Sequence, residues 1–242
     1  MTAVLPWATL VVCLAITIAR LPSLLRGENR VLFYIFALMT LDILLSIEGP
    51  YLALDAVLGG VNVTNLILRF LLYGTFLLMG VKIAMGFASA SAERAIRGPW
   101  GLTVLGLTVG LTTFFFVITD TRGSTVGMNG LTWGPSMEAY AALGRFYPGF
   151  VAACLLPAIW RTVTGRPPAL LRGAAALLFV GLALLLVSQL FPLIPAVHLW
   201  LRSLINYSAV LATALGLAGI WLSKAYARRK TKNFDLGLSQ KH

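Results

Sequence analysis

A chain of 242 residues that is 59% hydrophobic and only 11% charged lies far from the roughly 25% charged content of soluble domains, which excludes a soluble globular protein. A net charge of +11 would suggest nucleic acid in a soluble protein. Distributed between long apolar runs, it reads instead as membrane topology and contact with anionic lipid at the cytoplasmic face, and nucleic acid is set aside as a partner.

The first apolar run, at about 3–20, has no Lys or Arg before Arg20. It therefore lacks the basic leading region of a cleavable signal peptide and reads as the first membrane span. Further runs follow at about 31–48, 64–87, 100–118, 137–160, 172–191 and 198–223. Each is close to the 20 or so residues an α-helix needs to cross a bilayer. The expected fold class is all-α: a polytopic integral membrane protein with seven transmembrane helices in one bundle over residues 1–223. A basic tail, 224–242, lacks apolar periodicity and is expected to lie disordered on the inner surface. Cys13 and Cys154 both fall within apolar runs, where free cysteine behaves as a small hydrophobe, so no disulfide is implied.

The connections alternate in charge. The first, third and fifth, with the tail, carry 14 of the 19 basic residues, Arg20 counted with the first, whereas the second, fourth and sixth carry only Arg122, with Glu48, Asp55 and Asp120 on the same side. Because basic residues resist translocation, the side with 14 is cytoplasmic. The N-terminus is then extracytoplasmic and the C-terminus cytoplasmic, in the plasma (inner) membrane.

Local sequence marks several breaks. Glu48-Gly49-Pro50 is expected to end the second helix, since proline lacks an amide donor and disfavours helical geometry in the residue before it. Phe191-Pro192-Leu193-Ile194-Pro195 is expected to make a tight outer turn by the same means. Thr119 to Ser136, with Asn129, is the only extended polar outer segment: a solvated loop, a lid or an extracellular contact surface. Gly106 and Gly110 form a small-residue pair expected to allow close helix approach. Asn62-Val63-Thr64 is a glycosylation triplet on the outer side.

Four cations fall inside spans. Lys82 lies near the inner end of its span and is expected to snorkel; Arg202 is near the outer end of the seventh. Arg69 lies roughly 8 Å and Arg145 roughly 12 Å below the outer boundary, from the helical rise. Asp42 sits near mid-depth and Glu48 at the outer end of the second span. A buried unpaired carboxylate costs several kcal/mol, so Asp42 is expected to pair with Arg69, or with Arg145 as the competitor. Asn65, Tyr73, Tyr140, Gln189, Asn206 and Tyr207 add polar groups to the same half of the bundle. Two readings stand: interhelical bonds that hold the bundle, or an outward-facing cavity whose excess of arginine suits an anionic ligand. A proton or ion path through Asp42 is a third.

Absences narrow the chemistry. The two histidines, His198 and His242, supply neither a zinc site nor paired haem ligands, nor an intramembrane base for a serine nucleophile. Asp42 alone cannot form an aspartyl pair. No catalytic residue, metal site or cofactor is expected. The expected function is a non-enzymatic multi-pass protein that binds or senses an anionic small molecule or another membrane protein. Its candidate site comprises Asp42, Glu48, Asn65, Arg69, Tyr73, Arg145, Gln189, Arg202 and Asn206. The alternative is a small transporter of an anionic or proton-coupled solute, against which stands the absence of a repeated half or of matching helix interruptions.

The stretch from Arg30 to Asn65, with Pro50, Leu54-Asp55-Ala56-Val57-Leu58-Gly59 and Asn62, resembles the seven-helix region of the actinobacterial MAB_1171c transporter family. Trp160-Arg161, Gly165-Arg166-Pro167-Pro168 and Leu171-Arg172 before a Gly- and Ala-rich span add to the resemblance. It implies a seven-helix membrane domain and a transporter label without a substrate. Members of that family usually carry a cytoplasmic domain after the last span, where this sequence has a tail of about 19 residues.

Overall fold

The computed structural model describes residues 4–128, 130–131, 134–193 and 199–239, with side chains described through 191 and again over 200–226. The described residues form helices and turns only. In chain order the helices are α1 (Val4–Leu25), α2 (Arg30–Leu45), α3 (Glu48–Val57), α4 (Val63–Gly86), α5 (Ala90–Arg97), α6 (Pro99–Ile118), α7 (Pro135–Thr164), α8 (Ala169–Val187) and α9 (Leu199–Ser239). Six of them, α1, α4, α6, α7, α8 and α9, are long and apolar enough to cross a membrane. The pair α2 and α3, bent by 87° at a short break, makes a seventh if counted together.

The bend corrects one expectation. Glu48-Gly49-Pro50 does not end the second helix, which stops at Leu45; it opens α3. Proline is tolerated in a first helical turn, where its missing amide would be unpaired anyway, and an acidic residue there favours the helix dipole. Extended Ile47 turns the chain, and the Ser46 hydroxyl donates to the Ile43 carbonyl at 2.7 Å, closing the end of α2. The connection before α6 likewise contains a helix, α5. The Ser89 side chain caps it, Glu93 stands in its first turn and Arg94 and Arg97 in its last, all three arrangements that oppose fraying.

The core lies between α2, α4, α7, α8 and α9, around Phe36, Tyr73, Met79, Tyr147, Leu155 and Leu178. Small residues set the closest approaches. A Cβ on Gly80 would meet Val151, one on Gly181 would meet Thr213, and one on Gly216 would meet the backbone of Leu178. Gly106 and Gly110 are different: nothing lies within 4 Å of where their Cβ atoms would be. They stand on an open face of α6, beside exposed Leu107, Leu111 and Phe114, and the expected close packing is made by α8 and α9 instead.

Two further cations find unexpected and expected places respectively. Arg20, assigned from sequence to a loop, is within α1, 1% exposed, and stacks on the Trp221 ring at 4.8 Å. Lys82 donates to the Asn29 side chain at 2.9 Å in an exposed contact, consistent with reaching toward the end of the bundle. The tail expected to be disordered continues α9 as helix to Ser239. Once a span has nucleated a helix, each added residue gains a hydrogen bond, and Ala, Lys and Arg are good helix formers. Of the Phe191–Pro195 turn, residues 191–193 end a 3₁₀ helix that begins at Ser188, whereas Ile194, Pro195 and His198 lie outside the described residues, as do Asn129 and His242.

A candidate anion-binding cavity

A cavity of about 450 Å³ opens among α2, α3, α4, α7, α8 and α9. Of the residues singled out from sequence, Asp42, Asn65, Arg69, Arg145, Arg202, Asn206 and Tyr207 line it. Among the described lining residues, three arginines thus stand with one carboxylate. Its size and mixed lining are those of a small-molecule site.

Arg69 is held from three sides. Its Nε donates to the Asn65 side-chain oxygen at 3.1 Å, one helical turn back on α4. Its Nη1 donates to the Tyr140 carbonyl at 2.9 Å, and its guanidinium lies 3.8 Å from the centre of the Tyr140 ring. The Tyr140 hydroxyl donates in turn to the same Asn65 oxygen at 2.9 Å. Gly144, one turn along α7, makes room: a Cβ there would overlap the guanidinium. The aromatic face and carbonyl fix the arginine by cation–π and charge-assisted contacts without neutralising it.

Arg145 follows Gly144 on α7. Its Nε is buried with no hydrogen-bond partner, and its guanidinium lies 5.7 Å from the Phe191 ring. Arg69 and Arg202 are both close enough to act on it as like charges. Gln189 donates to the Arg145 carbonyl at 2.9 Å, in space left by Gly149, where a Cβ would meet the Gln189 amide. Arg202, on α9, donates to the Phe191 carbonyl at 2.8 Å. Ser203 and Asn206 are exposed at the mouth, and Tyr207 is hydrogen-bonded to Ser46 at 3.1 Å.

The expected ion pair of Asp42 with Arg69 or Arg145 does not form. Among the described residues the ion pairs are Arg26–Glu28, Arg97–Glu93 and Arg122–Asp120, all at the surface. Asp42 is 7% exposed; one of its oxygens accepts from the Thr75 hydroxyl at 3.1 Å and the other, Oδ1, has no partner. Arg69 is drawn toward α7 by the Tyr140 carbonyl and ring, and so away from α2. Three further predicted residues also stand apart from the cavity wall. Tyr73 is tied to Thr112 at 2.9 Å and donates to the Leu143 carbonyl at 3.1 Å, a strut between helices. Glu48 is exposed at the start of α3. Gln189 supports Arg145 from behind.

Sequence reasoning missed the clasp at the rim. Asp55, counted as an outer-loop charge, is fully buried and accepts from the backbone amides of Asn62 at 2.9 Å and Thr64 at 3.0 Å and from the Ser124 hydroxyl. Asn62, also fully buried with φ +59°, accepts from the Tyr51 hydroxyl at 2.7 Å and the Thr125 amide at 3.1 Å, and donates to the carbonyls of Thr121 and Gly123 at 2.8 and 3.0 Å. The triplet Asn62-Val63-Thr64 therefore presents no free amide for a glycan. Its role here is to fasten the α6–α7 loop, whose Val126 and Gly127 line the cavity, onto α3. The signal was the spacing of Tyr51 and Asp55, one turn apart on one face of a short helix, followed by asparagine where the chain needs a left-handed residue.

Among the described residues no three His, Cys, Asp or Glu side chains gather in a group able to hold a metal ion. A buried guanidinium nitrogen without an acceptor is costly, and an oxyanion in this cavity would supply one to the Arg145 Nε. No family model matches the chain, and no curated protein or solved structure matches it.

Proposed function

We propose that this chain is a non-enzymatic plasma-membrane protein that binds or senses an anionic ligand through Arg69, Arg145 and Arg202. The observation that supports this most is the cavity itself: Arg69, Arg145 and Arg202 line it, and Asp42, the carboxylate among its described lining residues, forms no ion pair with Arg69 or Arg145. In this reading the bent pair α2–α3 counts as one crossing, making seven, with the N-terminus outside and α9 leading into the cytoplasm. The charge asymmetry of the connections supports that orientation. Exposed Trp7 and Trp200 near one set of helix ends, and Trp100 and Trp160 near the other, suit the two interfacial belts where tryptophan accumulates. The basic residues on the cytoplasmic side then meet anionic lipid.

The test is titration of the purified protein in lipid nanodiscs with carboxylate and phosphate compounds, following its unfolding temperature. Stabilisation lost in Arg145→Gln supports the reading, and stabilisation unchanged by that substitution sinks it. A second reading, a small anion transporter, draws on the partnerless Asp42 Oδ1 within the cavity. Uptake of a labelled anion into proteoliposomes that is abolished by Asp42→Asn would establish transport in place of sensing. No uptake, with binding retained, would remove it.

A further inference from the structure

We infer that the ligand is an anionic amphiphile, with one carboxylate or phosphate head held by the arginines and a single apolar chain running along α4 past Asp42. This rests on the anion-binding reading above and names the class of anion. The carrying observation is a polarity gradient along the cavity wall. On α4 the lining residues Asn65, Arg69, Leu72, Phe76 and Met79 recur every third or fourth position and form one stripe, roughly 20 Å long at 1.5 Å per residue. The stripe begins polar and cationic and ends apolar. On α9 the wall runs from Arg202, Ser203 and Asn206 to Ala209 and Val210, with Thr213 at its deep end.

A small inorganic anion would fill only the arginine end. The remainder, walled by Phe76 and Met79, both buried, would stay a mostly apolar void, and voids of that kind forfeit packing contacts or take up apolar guests. An uncharged lipid chain would fill the remainder and leave the guanidinium groups without an oxyanion. A molecule with both parts satisfies both ends. Asp42 enters the wall level with Thr75, six residues below Arg69 and so roughly 9 Å along the axis. Its carboxylate opposes a second anionic group carried down the chain.

The probes are dodecanoate, dodecyl phosphate, dodecan-1-ol, dodecanedioate, acetate and inorganic phosphate, added to the protein in phosphatidylcholine nanodiscs. Affinity is read by native mass spectrometry and by unfolding temperature; the alcohol controls for partition into the bilayer. Dodecanoate and dodecyl phosphate should bind at least about tenfold more tightly than each of the other four, and Arg145→Gln should weaken them by about tenfold, the loss of one charge-assisted hydrogen bond. Val210→Trp, which fills the apolar end and leaves the arginines, should abolish the advantage of dodecanoate over acetate. Acetate or phosphate binding as tightly as the chain compounds, with sensitivity to Arg145→Gln, would overturn the amphiphile and leave the anion site standing. Equal binding of dodecanol and dodecanoate, or no effect of Arg145→Gln on either, would overturn both.

Discussion

Replacing Asn62 with alanine removes the four side-chain bonds that close the rim clasp. Two of the partners left behind are in buried residues, the Tyr51 hydroxyl and the Thr121 carbonyl; the other two belong to Gly123 and Thr125, where water can substitute. An unsatisfied buried group costs about 1–3 kcal/mol. Alanine also pays about 1 kcal/mol to hold φ near +59°, where asparagine is tolerated. The expected loss is about 4 kcal/mol, measured as the shift in free energy of unfolding by denaturing detergent in mixed micelles. Asn62→Gly removes the backbone cost and should recover about 1 kcal/mol of it. Asn62→Asp keeps the acceptor for Tyr51 but loses both amide donors and sets a second carboxylate beside Asp55, so it should be no better than alanine. A loss below about 1 kcal/mol for Asn62→Ala, or no gain on going to glycine, would refute the clasp as a structural fastening.

Gly144→Ala should displace the Arg69 guanidinium from the Tyr140 carbonyl, costing about 1–3 kcal/mol of stability as overpacking does, and should weaken anion binding as measured by native mass spectrometry; unchanged binding would mean that Arg69 has room elsewhere. Gly216→Leu, against the Leu178 backbone, should prevent recovery of folded protein by size-exclusion chromatography, whereas Gly106→Leu on the open face of α6 should leave the elution profile unchanged. In a variant with Cys13 and Cys154 replaced by alanine, Arg122→Cys should react with a membrane-impermeant maleimide on intact cells and Ser91→Cys should react only after permeabilisation. The reverse pattern would invert the proposed topology.

The long helices were legible because their cause is local: apolar runs of about the length of a bilayer leave little choice of solvent or secondary structure. The convergence of Arg69, Arg145 and Arg202 was legible in part, since depth along each helix follows from position alone. What depth does not contain is rotation about the helix axis and the reach of a long side chain. Arg69 turns to the Tyr140 carbonyl, 71 positions away in sequence, because Gly144 leaves a gap on α7, and no spacing within α4 announces that. Gly106 and Gly110 illustrate the same limit: the pair allows close approach without saying which neighbour, if any, faces it. Asp55 was misplaced for a different reason. Its charge was scored by the connection it falls in, but a short helix buries it under backbone amides that become neighbours only once the chain has turned at Ile47 and Asn62.

The anion site is tested most directly by locating a ligand marked at one end. Diffraction from crystals grown with 12-bromododecanoate, collected at the bromine absorption edge, should place the carboxylate between Arg69 and Arg145 and the bromine beside Phe76 and Met79. Bromine signal confined to the lipid-facing surface of the helices, with the cavity empty at saturating ligand, would contradict the account.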